Sequence, residues 1–408
     1  MKKTKLALAI LTAAFASSAM ATNGDNMIST GANETAMGGT GVAGIHGAEG
    51  ILTNPASTGN VKGTEFNIGG TVFMPTIKNQ APASPAPGEG TSDGDLYVIP
   101  AVSTARRIND NLTFGLGMWG TSGLGVDYSN AEPSAILSAI DASSNLQLLK
   151  FAPSLTYNDD NFAVGFAPVL QYGSLDIHHD QSALRQQAPG TTVVGAGTSA
   201  DLGVGYTLGA TFKTGDLTIG AAYDSAIDME YEDQITTQLT SFRDFGVSSF
   251  TDDHLEQPAQ IKIGAAYQMD NITFAADFKK IKWGSAKGYE QFGWEDQNVI
   301  ALGAKYHADN YWLGAGYNRG SSPVKEQDGT TQDGAAKNFF NLGFFPATAE
   351  QHFTLGGGYS VTKNLSVDGA IAYSPETEET FDASGLGFGD VTTTHSELGY
   401  TVQMSYKF

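Results

Sequence analysis

The 408-residue chain contains no cysteine, which excludes disulfides, cysteine lipidation and thiol chemistry. It is also short of basic charge. Twenty-two Lys and Arg stand against 43 Asp and Glu, a formal net charge of −21. Nucleic acid needs a basic face to release counterions, so nucleic-acid binding is excluded. No segment approaches the roughly 18 consecutive apolar residues of a membrane helix. None of the seven histidines sits in a Ser-His-acid or His-x-x-x-His arrangement. His178-His179-Asp180 reads as a solvated loop, because adjacent strand residues point oppositely and do not converge on a metal. No Ca²⁺ spacing, phosphate-cradling loop or cofactor box is found, so neither catalysis, a cofactor nor a metal is expected.

What remains is glycine and aromatic residues: 50 Gly, 16 Tyr and 22 Phe. A disordered acidic chain would have few aromatics. The last eleven residues put Leu398, Tyr400, Val402, Met404, Tyr406 and Phe408 on one strand face and Gly399, Thr401, Gln403, Ser405 and Lys407 on the other. A terminal strand with one apolar face and an aromatic end is the pattern of an outer-membrane barrel, apolar to lipid and polar to lumen. The amino-terminus agrees. Lys2, Lys3 and Lys5 precede the apolar run Leu6 to Phe15, and Ala19-Met20-Ala21 supplies a cleavage site, so residues 1–21 read as a secretory signal peptide. Loss of its three lysines takes the formal charge to −24.

Tight-turn signals recur at Asn109-Asp110-Asn111, Asn158-Asp159-Asp160-Asn161, Gly215-Asp216, Asp270-Asn271, Asp309-Asn310 and Lys363-Asn364, each between alternating strands. Long polar stretches separate them. Short turns on one side and long loops on the other are the bacterial barrel pattern, the short ones periplasmic. Six turns join twelve strands, and one more at each end gives fourteen, from 64–76 to 394–408. The expectation is an all-β transmembrane antiparallel barrel spanning residues 62–408 of a Gram-negative outer membrane. Residues 22–61 do not alternate. They are rich in glycine, with Asn54-Pro55-Ala56 near their end, and on composition a plug inside the barrel and a periplasmic tail are equally open.

Three outer loops are conspicuously apolar. The first holds Ile136, Leu137, Ile140, Leu146 and Leu148, spaced for a short helix opened by Glu132 and Pro133. The second holds Leu239, Phe242, Phe245, Val247 and Phe250, and the third Phe339, Phe340, Leu342, Phe344 and Phe345. Such patches mark either a binding groove or an interface in which loops cap the barrel. A groove would take an alkyl chain at about 0.8 kcal/mol per buried methylene. Arg243, Lys337 and Lys150 are candidates for a carboxylate head group, with ion pairing to nearby acids or lipopolysaccharide phosphate as their other fate.

The order of Met37-Gly38-Gly39-Thr40-Gly41, Asn54-Pro55-Ala56 and fourteen strands resembles the FadL family of outer-membrane transporters for hydrophobic compounds. Further echoes are Gly123 to Tyr128, Pro153 to Tyr157, Tyr223-Asp224-Ser225, Trp283-Gly284-Ser285 in the ninth strand, and Phe345-Pro346-Ala347. The resemblance implies an amino-terminal hatch that includes Asn54, Pro55 and Ala56, and a ligand path leaving sideways near a kinked third strand. Gly115, Gly117, Gly120, Gly123 and Gly125 make a break there plausible. It implies passive uptake of hydrophobic molecules, above all long-chain fatty acids, by a monomer surrounded by outer-membrane lipid and lipopolysaccharide. The carboxy-terminal strand would be presented to the barrel assembly machinery. A surface adhesin or phage receptor, an aromatic hydrocarbon channel and a polar-solute porin are the alternatives.

Overall fold

The computed structural model describes residues 22–80, 89–131, 136–182, 187–188, 190–238, 252–387 and 389–408. Fourteen antiparallel strands form one wall. They are β1 (Thr64–Gln80), β2 (Tyr97–Arg107), β3 (Leu112–Ser122), β4 (Ser143–Asn158), β5 (Phe162–Asp180), β6 (Ser199–Thr214) and β7 (Leu217–Asp224). The second half is β8 (Gln260–Met269), β9 (Ile272–Ile281), β10 (Gln297–His307), β11 (Tyr311–Gly320), β12 (Gln351–Ser360), β13 (Leu365–Asp382) and β14 (Asp390–Lys407). Each pairs with its neighbour, and β14 pairs with β1 from Thr392↔Gln80 to Lys407↔Glu65, which closes the barrel and leaves no sheet edge.

Alternation places the residues as the sequence demands. Tyr400, Val402, Met404 and Tyr406 are exposed on the outer wall, while Gly399, Thr401, Gln403 and Ser405 are buried inward. Ile261 and Ile263 on β8 and Val367, Ile371 and Tyr373 on β13 behave likewise. Val204 and Leu355, at 75% and 65% exposed, are poor surface choices in water and good ones in hydrocarbon. Among the described residues no helix is long and apolar enough to cross a membrane. The six tight turns fall where the Asn and Asp signals lie. In the first, Asn109 Oδ1 accepts from the amides of Asn111 (3.0 Å) and Leu112 (2.9 Å), closing the turn with its own side chain.

Several strands continue beyond the expected span. β4 begins at Ser143, so Leu146 and Leu148 lie in the wall and not in a loop. β5 runs on to Asp180, so His178 and His179 are strand residues, correcting the loop reading: His178 faces out, and His179 is buried with Nδ1 2.6 Å from Gln238 Oε1. β9 stops at Ile281, and Trp283-Gly284-Ser285 forms a 3₁₀ turn beyond it.

Residues 22–61 fold inside the lumen. A two-residue ladder (Thr22–Asn23 with Asn26–Met27) leads to helix α1 (Ala32–Ala36) and two 3₁₀ turns, Glu49–Leu52 and Pro55–Asn60. The Met37-Gly38-Gly39 run has a local cause. Gly38 and Gly39 have φ of +72° and +82°, and their amides bond back to Thr35 and Glu34 carbonyls (3.1 and 2.8 Å), ending α1 with a Schellman motif. Asn54-Pro55 likewise opens the last turn: Asn54 Oδ1 accepts from Ala56 N at 3.0 Å and Pro55 sits at the first helical position.

Candidate functional site

Two layers fill the barrel. The lower one is the hatch, held mainly by directed polar bonds. Asn54 Nδ2 donates to the carbonyls of Val42 (2.7 Å) and Ala210 (3.3 Å), and Thr156 Oγ1 donates to Pro55 O at 2.8 Å. Asp277 Oδ2 accepts from Gly41 N and Val42 N (2.8 and 3.0 Å), while Lys279 Nζ donates to Gly39 O at 3.0 Å. Glycines on the inner wall let the hatch backbone come this close. A Cβ at Gly220 would overlap the Val42 carbonyl, one at Gly209 the Asn54 amide, and one at Gly316 the Gly38 nitrogen. Ala56 is wholly buried. Inside the hatch, Glu49 accepts from Glu34 N, Asn33 Nδ2 and Gln403 Nε2, each at 2.8 Å. Burial and the charge of Glu49 push the Glu34 carboxyl up to about 8, and burial raises Glu49 as well.

The upper layer is an apolar lid. Helix α3 (Gln332–Gly343), capped by Thr331, carries Phe339 and Phe340, followed by Phe344 and Phe345; all four are at most 3% exposed. Phe340 stacks between Phe292 (4.8 Å) and Phe344 (5.0 Å). Helix α2 (Ile136–Ala139) adds Ile136 and Leu137, and Ile140 follows it, all buried in the same cluster. These seven residues from the first and third loops are thus brought together, packed loop against loop. Phe242, Phe245 and Arg243, like Glu132 and Pro133, lie outside the described residues. Sequence reasoning missed a third contributor, residues 282–296, whose Trp283, Tyr289, Phe292 and Trp294 join the lid. Four large aromatics within twelve residues were the available signal. The lid's aromatic rings are tied by polar bonds as well: Trp294 Nε1 donates to Asn341 Oδ1 (3.0 Å), and Asn341 Nδ2 to Phe292 O (2.9 Å).

Between the hatch and the inner wall lies a cavity of about 70 Å³, lined by Met27, Leu52, Trp119, Lys150, Lys262 and Lys279 among others. Lys150 is buried and faces inward, and among the described residues its Nζ has no hydrogen bond or ion pair. Asp224, beside it, is taken by Lys262 at 2.7 Å. Lys337, in contrast, is bound to Asp333 one turn away on α3 at 2.9 Å. Next to this cavity the third strand is irregular. The β3–β4 register shifts between Gly120 and Ser122, and the hatch residue Asn26 pairs with Ser122 at the break.

A closed barrel, apolar to the outside and filled by its own amino-terminal segment, defines a plugged outer-membrane β-barrel. Comparison places it further. The family described as outer membrane protein transport protein (OMPP1/FadL/TodX) matches residues 8–408, and the chain belongs to it: an outer-membrane transporter of hydrophobic compounds in a family of channels, not enzymes. The 47 kDa outer membrane protein of Pasteurella multocida is 22% identical over 88% of this chain and 87% of its own length. Outer membrane protein P1 of Haemophilus influenzae is 21% identical over 86% of each. A Pseudomonas aeruginosa FadL homologue superposes with a TM-score of 0.72 at 16% identity over 94% of this chain and all of that one. The Pseudomonas putida toluene transporter TodX gives 0.69 at 20% identity, over 93% and 99% of the two chains.

Proposed function

We propose that this transporter admits long-chain fatty acids. The observation that carries the reading is Lys150: a buried lysine without an ion-pair partner among the described residues, lining a small cavity between the hatch and the inner wall. A buried ammonium is costly unless an anion meets it, and a fatty acid supplies one at the end of an alkyl chain. The cavity has room for a carboxylate and little more. The alkyl chain must therefore take its place among Phe339, Phe340, Phe344, Phe345, Ile136, Leu137 and Ile140 by displacing some of their mutual contacts. Lys337 is less suited to the role because Asp333 already holds it. Exit is sideways at the β3–β4 irregularity, where Asn26 of the hatch would have to let go of Ser122. Asn54, Pro55 and Ala56 then act as the hatch's fixed side rather than its moving one, since they are bonded to the wall across three strands.

The test is saturable uptake of a labelled long-chain fatty acid by cells with and without this chain, run beside toluene. Lys150→Met is expected to weaken binding of the acid roughly tenfold or more while leaving its methyl ester unaffected. Equal loss for acid and ester would remove the head-group assignment. Uptake of toluene but not of fatty acid would favour a second reading, an aromatic hydrocarbon channel, which the stacked rings of the lid and the toluene transporters among the structural relatives support.

A further inference from the structure

The strap that begins the hatch ends on an unusual acceptor. Glu397, on β14, is 1% exposed and faces the lumen. Its Oε2 accepts from the Thr22 backbone nitrogen (3.3 Å) and lies 2.7 Å from His352 Nε2. Its Oε1 accepts from Thr22 Oγ1 (3.3 Å) and lies 3.4 Å from His395 Nε2. All four partners are buried. Among the described residues no Lys or Arg pairs with this carboxylate, and a histidine is a cation only when protonated. A carboxylate taken wholly out of water needs a positive partner. One is available at this position if the chain is cut after Ala21. The nitrogen that now faces Glu397 as an amide would become an α-ammonium, whose ordinary pKa of about 7.7–8 keeps it largely charged at neutral pH.

The strap's course gives this contact a consequence. From Thr22 it turns at Gly24 (φ +71°) against Trp283 and receives a hydrogen bond at Asp25 from the Tyr289 hydroxyl. It doubles back as a tight hairpin, Thr22 opposite Met27 and Asn23 opposite Asn26, and Asn26 pairs with Ser122 at the break in β3, three strands round the wall from β14. One arm of the hairpin is thus pinned to β14 and the other to β3.

We propose that Glu397, with His352 and His395, is a receptor site for the chain's own amino-terminal ammonium, so that removal of residues 1–21 creates the charge that locks the hairpin at the head of the hatch to the wall. The precursor has only a neutral amide to offer there. The seal is a product of maturation, and the unprocessed chain would be the leaky form.

The protein is taken as isolated from outer membranes. Its mass should show a chain beginning at Thr22; any other first residue overturns the proposal. In the folded protein the Thr22 amine should react with an acylating reagent at neutral pH at least about tenfold more slowly than in the denatured chain. Glu397→Gln should return most of that reactivity, and a Glu397→Gln protein that protects its amine as well as the wild type would overturn it. Because that variant alters a wall strand, a second one leaves the wall untouched: a short Gly-Ser insertion between Ala21 and Thr22 that keeps the cleavage site. Its ammonium can no longer reach Glu397, and its conductance in a planar bilayer should rise several-fold above the near-closed wild type. Wild-type conductance with the insertion, verified by mass, would refute the lock.

Discussion

The lid and the hatch close the same lumen by opposite means. The lid is apolar and gains its hold from area: stacked Phe292, Phe340 and Phe344, with Trp283, Tyr289 and Trp294 beside them. Such attraction has little direction. A hydrophobic ligand can replace one side of it and leave the energy nearly unchanged. The hatch interface is polar and geometrically exact in its demands, with backbone carbonyls and amides meeting Asn54, Asp277 and Lys279 across inward glycines. A fatty acid tail offers nothing that can substitute for those bonds. The difference teaches where a hydrophobic ligand can act unaided: it dissolves into the lid on equal terms, whereas the hatch must be moved by something with a charge or a hydrogen bond.

This contrast can be broken from either side. The largest effect should come from Phe344→Asp, which buries a carboxylate in the lid. Losing a buried ring costs about 3–5 kcal/mol before the charge is counted. The expected result is proteolysis within residues 332–345 and more than tenfold slower uptake, with the barrel still resistant to heating in detergent; unchanged uptake in a correctly inserted variant would remove the lid from the path. Gly220→Val comes next. Its side chain occupies the Val42 carbonyl's place, so the hatch should unseat and single-channel conductance should appear while wall strands keep their hydrogen-exchange protection. Asn54→Ala removes a cap and a bond to Val42, worth about 1–2 kcal/mol together, and should raise exchange in residues 41–60 without opening the lid.

A further handle on the hatch is a pH dependence. Glu34 is raised from 4.5 to about 8, so the folded hatch holds its proton more tightly than the unfolded chain does. That contribution is fully present below about pH 4.5 and is lost as pH rises toward and through 8, by at most about 1.4 kcal/mol per unit. Hatch protection measured from pH 5 to 9 should therefore fall with pH, and Glu34→Gln should flatten the curve. A slope that survives the substitution would assign it elsewhere, Glu49 first.

How much of this was legible follows the range of the interactions. Turns such as Asn109-Asp110-Asn111 are local, closed by their own side chains, and could be read directly. The wall's two faces could be read because lipid and lumen impose opposite chemistry on successive residues. Legibility stopped where β4, β5 and β13 rise above the membrane. There the outer face meets water, the apolar alternation lapses, and His178 or Leu146 looks like loop. The lid residues of the first and third loops were recognisable as adhesive, but not their partners, and Trp283 was absorbed into a strand that ends two residues earlier. Least readable was the fit of hatch to wall. Gly220 against Val42 and Gly316 against Gly38 are pairs far apart in the chain, and a glycine in a strand does not announce what approaches it.

The join between hatch and wall sets a mechanical limit. The last hatch turn ends at Asn60 and β1 starts at Thr64, so residues 61–63 are the whole tether, a reach of about 10 Å at full stretch. Arg107 shortens it further by gripping the Gly59 and Val61 carbonyls at 2.5 and 3.0 Å. A stopper on so short a leash cannot be drawn out of the barrel or hang below it. Whatever passes must get by while the stopper stays in the neck, which suits small hydrophobic molecules rather than a folded or bulky cargo.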